Sequence, residues 1–211
     1  MDVFVSPDSS TYVGEWKNAM RDGQGTHTCA NGTKYVGSWK NGMRNGHGVK
    51  THADGSEYSG EWKDDMRSGQ GSFTYENGDT YVGSWKNGMK NGPGILTVLN
   101  FSVTIGEWKE GKLNCEGTQT FANGDLYVGA FKDDKMNGHG TFTYTKGDKY
   151  TGAFRGGKKN GQGIFTCIKG DVYAGAFKDD LMEGQGTFTC ANNKEYFGKW
   201  RDGKVNGENI V

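Results

Sequence analysis

Proline and cysteine are scarce in this chain, which has 2 prolines and 4 cysteines among its 211 residues. No apolar run approaches the roughly 18 residues that a membrane-spanning helix requires. The first residues also lack the positively charged start and apolar core that are typical of a signal peptide. We therefore expect a cytoplasmic protein that keeps its thiols reduced.

The chain has no excess of either charge, because Lys+Arg and Asp+Glu each number 25. A nucleic-acid-binding protein usually carries a basic excess, so we expect no nucleic-acid partner. Glycine is abundant at 37 residues, but it does not recur at every third position, which excludes a collagen-like helix. Aromatic residues make up 13% of the chain and recur in fixed register, which argues against disorder.

The sequence motif Tyr-x-Gly-x-Trp-Lys begins at Tyr12 and recurs, with variations, every 23 residues. There are nine copies, and the last begins at Tyr196. In the copy over residues 58–80, alternating large and polar residues predict strands at 58–63 and 71–75. Residues 64–69 are expected to form a polar loop between them. The Asn77-Gly78 pair that follows is a strong hairpin signal. Each repeat is therefore predicted to be one β-hairpin.

Nine hairpins in series predict an all-β fold, an elongated, twisted single-sheet solenoid that is rod-like. About 18 strands spaced by roughly 4.8 Å would build this rod. We expect one domain over residues 1–211, with a half-repeat at 1–11 and nine repeats from Tyr12, the last one truncated. The chain opens with a second strand at residues 3–5 and stops within another at 207–211. We expect either a fragment of a longer array or edges that pair with a second copy.

The repeated phrase, followed by Gly-x-Gly and Asn-Gly-x-x-Tyr, resembles the MORN repeat (membrane occupation and recognition nexus). The fifth copy departs most: Phe101 replaces the turn glycine, Thr104 the tyrosine, and Cys115 the first glycine of the Gly-x-Gly pair. The resemblance implies a non-catalytic, cytoplasmic protein attached to cytoskeleton or membrane. It is greatest to the repeat-only cytoskeletal scaffolds of protist parasites, which act in the cell cortex and in division.

The first candidate site is a groove lined by the repeated aromatic rings, which could receive a partner helix or an extended peptide. The same rings could instead be the core of a one-layer sheet, and this alternative explains most of them. The groove aromatics are Tyr12, Trp16, Tyr35, Trp39, Tyr58, Trp62, Tyr81, Trp85, Trp108, Tyr127, Phe131, Tyr150, Phe154, Tyr173, Phe177, Tyr196 and Trp200.

The second candidate is a column of cations that follows the Trp or Phe of every repeat. Such a ladder could meet anionic phospholipid head groups at about 1 kcal/mol per charge. The alternative is a solvated face that is balanced by neighbouring acids. The ladder residues are Lys17, Lys40, Lys63, Lys86, Lys109, Lys132, Arg155, Lys178 and Arg201.

Cysteine and histidine offer only a weak metal site. Cys115 and His139 could complete a zinc site across the two-fold axis of a dimer, with two residues from each chain. Cys167 and Cys190 share a column that elsewhere holds Tyr75, Val98, Phe121 and Tyr144, so we expect them to be buried free thiols. No cofactor is otherwise expected.

The histidines and acids form no single convergent constellation, so we predict no enzymatic activity. The preferred interpretation is a structural scaffold and protein-interaction module of the cytoskeleton or membrane cortex, with a possible role in cell division. Its first partner would be itself, in an antiparallel end-to-end homodimer, with cytoskeletal or motor proteins and anionic phospholipid as further candidates. The alternatives are a phosphoinositide-binding or regulatory module of a larger protein, and an adaptor that holds a partner helix in its aromatic groove.

Overall fold

A computed structural model describes residues 3–206 of the chain, and every regular element in that range is a β-strand. The strands are Val3–Val5 (β1), Thr11–Lys17 (β2), Met20–Thr28 (β3), Lys34–Lys40 (β4), Met43–Thr51 (β5), Glu57–Lys63 (β6), Met66–Thr74 (β7), Thr80–Lys86 (β8), Met89–Val98 (β9), Ser102–Lys109 (β10), Lys112–Phe121 (β11), Leu126–Lys132 (β12), Lys135–Thr143 (β13), Lys149–Arg155 (β14), Lys158–Thr166 (β15), Val172–Lys178 (β16), Leu181–Thr189 (β17), Glu195–Arg201 (β18) and Lys204–Asn206 (β19). The all-β prediction of consecutive hairpins is confirmed.

Successive strands are antiparallel neighbours in one sheet that follows the order of the chain. Contacts divide the described residues into two compact units. The first unit comprises the described residues of Met1–Asn100 together with Trp108–Gly111. The second unit comprises Phe101–Glu107 together with the described residues of Lys112–Val211. The single array over residues 1–211 and its rod-like dimensions stay predictions.

The connection inside each repeat is shorter than the sequence indicated, so the predicted loop over residues 64–69 is wrong. Lys63 pairs with Met66, which leaves a two-residue turn at Asp64 and Asp65. Both turn residues have positive φ, 48° and 65°, as a type I′ turn requires. Aspartate tolerates this conformation, and the second strand therefore begins at Met66 and includes Gly69.

The connection between repeats is the predicted Asn-Gly hairpin, in a five-residue form. Thr74 pairs with Thr80, the Gly78 amide donates to the Tyr75 carbonyl, and the Tyr75 amide donates to the Asp79 carbonyl. Only Gly78 takes positive φ, at 86°. This arrangement is a type I turn followed by a left-handed glycine, and the strand register is set by that residue.

The turn that leads into the fifth repeat has a different conformation, because Phe101 stands where most other repeats have the turn glycine. The left-handed residue is now Asn100, with φ of 58°, and strands β9 and β10 extend to Val98 and Ser102. Asparagine can replace glycine in this conformation at little cost. The Phe101 side chain remains 61% exposed.

Aromatic rings form the core of each unit in an unbroken series. The Tyr12 ring makes edge-to-face contacts with Trp16 at 5.0 Å and with Trp39 of the next repeat at 5.5 Å between centroids. The pattern continues through Tyr35, Tyr58 and Tyr81 to Trp108 in the first unit, and from Phe131 through Tyr127, Phe154, Tyr150, Phe177 and Tyr173 to Trp200 in the second. Edge-to-face pairs at this spacing stabilise beyond their buried area, by about 0.5–1.5 kcal/mol each.

Each core tyrosine lies over two paired glycines, and Tyr58 shows why both are needed. Gly60 on its own strand pairs with Gly71 on the next, and a Cβ on Gly71 would overlap the Tyr58 ring. Gly60 makes room for the Tyr58 hydroxyl of its own strand and for the backbone of Gly71.

The tyrosine hydroxyl satisfies a carbonyl at a kink in the strand. A register shift follows Gly60, and the Tyr58 hydroxyl donates to the Glu61 carbonyl at 2.9 Å. Equivalent bonds form at Tyr12, Tyr35, Tyr81, Tyr127, Tyr150 and Tyr173. A carbonyl that a β-bulge leaves outside the ladder thus gains a partner inside the repeat.

In the fifth repeat Thr104 is too short to replace the tyrosine ring, and Leu113 fills the space. Leu113 is 2% exposed, and a Cβ on Gly106 would lie 2.8 Å from its Cδ1 atom. An aliphatic side chain thus takes the place of a ring in the second unit, without the hydroxyl bond.

The predicted strand at residues 3–5 is observed, and Val3–Val5 pairs with strand β2. The half-repeat over residues 1–11 stays a prediction. The predicted closing strand at residues 207–211 lies outside the described residues. Strand β19 ends at Asn206.

Cys115 tests how the backbone shapes the fifth repeat, because it has φ of 68° where the other repeats have glycine. We expect Cys115→Gly to raise the free energy of unfolding by about 1 kcal/mol, since a side chain in this region is strained. Chemical denaturation would measure the change.

The matched control is Gly138→Ala at the equivalent position of the next repeat, where φ is 99°. It should lower the free energy of unfolding by a similar amount. A loss of stability in Cys115→Gly would contradict the strain argument.

Candidate functional site: the aromatic face and its cations

The predicted groove aromatics are the packed core of their units. All of them are buried except Trp16, which is 44% exposed, and Tyr196, which is half-buried. The rings contact one another, so most of their surface is already occupied. A partner in the predicted groove would meet the side chains that cover these rings.

The core tryptophans are further fixed by hydrogen bonds to the preceding repeat. The Trp62 indole nitrogen donates to the Gly48 carbonyl at 3.1 Å. Trp39, Trp85, Trp108 and Trp200 make the same bond to a glycine 14 residues earlier. These rings connect successive repeats, and their indole N–H groups are already engaged and are not available to a ligand.

Cations cover the rings of the first unit. The guanidinium carbon of Arg21 lies 4.2 Å from the Trp39 ring centroid, and that of Arg44 lies 4.4 Å from the centroid of Trp62. Arg67 over Trp85 and Lys90 over Trp108 continue the series. Distances of this size are typical of favourable cation–π contacts.

The second unit differs at the same column of the repeat. The equivalent residues are Leu113, Met136, Lys159, Met182 and Val205, so Lys159 is the one cation among them. Its ammonium is more distant from the ring of the next repeat, at 5.8 Å from the Phe177 centroid. Sequence reasoning missed this contrast, although the column Arg21, Arg44, Arg67 and Lys90 was readable from the 23-residue period.

A cleft lies on the aromatic face between the first two full repeats. Its floor is made by Tyr35 and Trp39, and four basic side chains stand around it. The lining residues are Arg21, His27, Cys29, Thr33, Tyr35, Trp39, Arg44, Lys50 and Asp65. The single carboxylate, Asp65, accepts from the Arg44 Nε atom at 2.8 Å.

Burial lowers the pKa values of three bases in and beside this cleft. The pKa of His27 is lowered by burial and, second, by the charge of Arg21. The pKa of His52, one repeat further, is lowered by burial and then by Lys50. The pKa of Lys50 is itself lowered by burial and by Arg44. The cleft is therefore a positive, partly desolvated environment.

The predicted lipid ladder has a different setting. All nine of its residues are exposed, and each ends the first strand of its repeat, immediately before the two-residue turn. These cations are solvated and can reach an external surface without rearrangement of the rings. Their binding of anionic lipid stays a prediction.

Within residues 3–206, no three His, Cys, Asp or Glu side chains come together as a metal site would require. The weak zinc site at Cys115 and His139 would need a second chain and stays a prediction. The four cysteines are free thiols, but Cys29, Cys167 and Cys190 are half-buried rather than buried, and Cys115 is exposed. The column is half-open because a one-layer sheet cannot cover side chains at its margin. The same residues 3–206 include no helix that is long and apolar enough to span a membrane.

These features define a tandem β-hairpin repeat protein whose surfaces recur with the repeat. A family profile for the MORN repeat matches eight segments, at residues 12–34, 35–57, 58–80, 81–97, 105–126, 127–149, 150–172 and 173–195. The chain belongs to the MORN-repeat family, as the sequence predicted. The unmatched stretch at 98–104 contains the altered turn of the fifth repeat. MORN repeats form interaction modules of protein and membrane scaffolds and are not catalytic units.

Solved structures resemble the fold without close sequence similarity. The TCP10 domain of Danio rerio CPAP, in its E1021V mutant, aligns with a TM-score of 0.53 at 8% identity, over 100% of this chain and 99% of that domain. The G-box domain of the microcephaly protein CPAP aligns with a TM-score of 0.52 at 11% identity, over 95% and 99% of the two chains. Both comparisons support the fold alone. No curated protein sequence matches the chain.

The depressed histidine pKa values generate a test of the cleft. We expect the imidazoles of His27 and His52 to titrate below 6.5, because burial and neighbouring cations disfavour their protonated forms. For each histidine, the unfolded chain then binds more protons than the folded chain at pH values between the folded pKa and the unfolded pKa. Stability should therefore fall as pH drops from about 6.5 towards the folded pKa, and it should be retained above that window.

Nuclear magnetic resonance titration of the imidazole signals would measure both pKa values. Arg21→Gln should raise the pKa of His27 more than that of His52, because Arg21 acts on His27. Titration of both histidines at or above 6.5 would contradict the described electrostatics.

Proposed function

We propose that this protein is a structural scaffold and protein-interaction module of the cytoskeleton or membrane cortex that works as a homodimer. The observation that carries the proposal is the recurrence of one surface in every repeat. The exposed ladder places a basic side chain immediately before the two-residue turn in all nine repeats. Such an array favours several simultaneous weak contacts over one deep reaction site.

Support for self-association comes from exposed apolar side chains on strands β1 and β2, with Phe4 and Trp16 on one face of the sheet and Val3 and Val5 on the other. Val3 is 60% exposed, Phe4 51%, Val5 61% and Trp16 44%. Phe4 and Trp16 also touch, with ring centroids 5.5 Å apart. Exposed apolar side chains on a short β-strand are typical of a surface that pairs with another chain. An antiparallel end-to-end dimer is the simplest closed arrangement.

A second candidate function is a phosphoinositide-binding or regulatory module of a larger protein, and the observation that favours it is the exposure of all nine cations of the ladder. An adaptor that holds a partner helix is less supported, since the groove aromatics are buried in packing. Cytoskeletal or motor proteins remain the proposed partners of the scaffold, and a role in cell division belongs to the same proposal.

Light scattering coupled to size exclusion tests the scaffold. We expect the mass of a dimer for the wild-type chain and of a monomer for Phe4→Ser, because the substitution removes an exposed aromatic contact. Phe101→Ser is the control, since Phe101 is similarly exposed but lies in the fifth-repeat turn. A wild-type monomer, or an equal effect of both substitutions, would contradict the homodimer.

Vesicle flotation of the same protein distinguishes the second candidate, the lipid-binding module, from the scaffold. A monomer that binds phosphoinositide vesicles at low salt and loses binding in Lys40→Ser/Lys63→Ser/Lys86→Ser would favour the lipid module. The matched control removes three exposed lysines outside the ladder: Lys146, Lys149 and Lys158.

A further inference from the structure

The cleft on the aromatic face contains more positive charge than the structure neutralises. Arg44 is paired, through its Nε and backbone nitrogen atoms, with the Asp65 carboxylate. Throughout the part of the chain that the structure describes, neither Arg21 nor Lys50 has an ion-pair partner. Two cations thus face a shared space with no carboxylate of their own.

Among the cations of the cleft, Lys50 gives the clearest indication of a ligand, because it is half-buried and has no counter-charge. Its place in the repeat is taken by Phe73 in the next repeat and by Phe142 and Phe165 further on. An apolar residue therefore satisfies this position, and a partly desolvated ammonium there costs stability. A charge that the fold does not require points to a ligand of opposite charge.

The geometry around Lys50 suits an oxyanion with more than one negative charge. The Arg21 guanidinium carbon lies 4.2 Å from the Trp39 ring centroid, and the guanidinium makes no salt bridge. Arg44 is held in position by Asp65 and by the ring of Trp62. Oriented guanidinium groups beside an ammonium are the donors that recognise phosphate oxygens, which accept several charge-assisted hydrogen bonds.

We propose that this cleft binds a phosphate monoester carried on a side chain of a partner protein. A phosphorylated side chain projects from its backbone and can enter a recessed site. A membrane surface would first meet the exposed ladder, while the cleft cations are half-buried. The inference deepens the proposed scaffold and rests on it, because it names the chemistry of one partner.

Three of the four histidines provide site-specific probes for the test. His27 lines the cleft, whereas His47 is exposed on strand β5, and His139 belongs to the second unit. The probes are a glycine-flanked phosphoserine pentapeptide, its unphosphorylated twin and inorganic phosphate. We expect the phosphopeptide and inorganic phosphate to shift the His27 imidazole signals saturably, and the twin to leave them unchanged. His47 and His139 should not respond to any probe.

Lys50→Met should weaken phosphopeptide binding about tenfold, the effect of losing one charge-assisted hydrogen bond. Its melting temperature should equal or exceed that of the wild type, since a half-buried charge is removed. Lys40→Met, which removes an exposed ladder lysine, should bind the phosphopeptide as the wild type does. An equal loss in both variants, the absence of a saturable His27 shift, or equal shifts at His47 would overturn the inference.

Two further outcomes separate this inference from the scaffold itself. If the dimer forms but the phosphopeptide does not bind, the inference fails and the scaffold stands. If phosphatidylcholine vesicles that contain phosphoinositide shift His27 while the phosphopeptide does not, the cleft serves a membrane and the inference is overturned.

Discussion

The stacking of a tyrosine ring over two paired glycines is the contact on which the rest of this structure depends. A single-layer sheet has no second layer to bury its side chains, so its core must come from rings that lie along its own face. The Tyr58 ring can lie there only because Gly60 and Gly71 present no side chain. The ring then reaches the Glu61 carbonyl with its hydroxyl and the tryptophans of two repeats with its edges and face. One residue thus connects the kink in its own strand to the packing of the next repeat.

The same core distinguishes the two units by what covers it. In the first unit, cations from Arg21 to Lys90 stack on tryptophan rings, and the basic cleft follows from this arrangement. In the second unit, phenylalanines replace three tryptophans and Leu113, Met136 and Met182 replace three cations. A cation gains less from a phenylalanine ring than from an indole, so the two changes are physically consistent. The repeat therefore conserves its core and varies the charge above it. Each ladder residue directly follows a core ring along its strand, so the exposed ladder and the proposed phosphate cleft on the aromatic face are separate surfaces.

Most of the fold could be predicted from the sequence because the repeat multiplies a weak local pattern nine times. The alternation of Tyr58, Gly60 and Trp62 predicted a half-buried strand, and the Asn77-Gly78 pair predicted the hairpin between repeats. The turn within the repeat was missed because Asp64-Asp65 was interpreted as the start of a polar loop. Aspartate at two successive positions can adopt left-handed φ, and the type I′ turn that results lets the strand resume at once.

The candidate site was less predictable, because its residues come from different columns of the repeat. Arg21, Lys50 and His27 are unremarkable surface residues in the sequence, and only the register of strands β3, β4 and β5 places them around one cleft. The sequence singled out the aromatic rings, which are the core. It also singled out the ladder, whose exposure was predictable from its alternation with those rings.

The most direct test of the central contact is the free energy of unfolding of Gly71→Ala, measured against Ser72→Ala on the adjacent residue. A methyl group on Gly71 would overlap the Tyr58 ring and displace it from Gly60 and Glu61. We predict a loss of about 1–3 kcal/mol for Gly71→Ala, with a reduced near-ultraviolet aromatic signal, and a much smaller change for Ser72→Ala. Equal stability of Gly71→Ala and the wild-type chain would contradict the account.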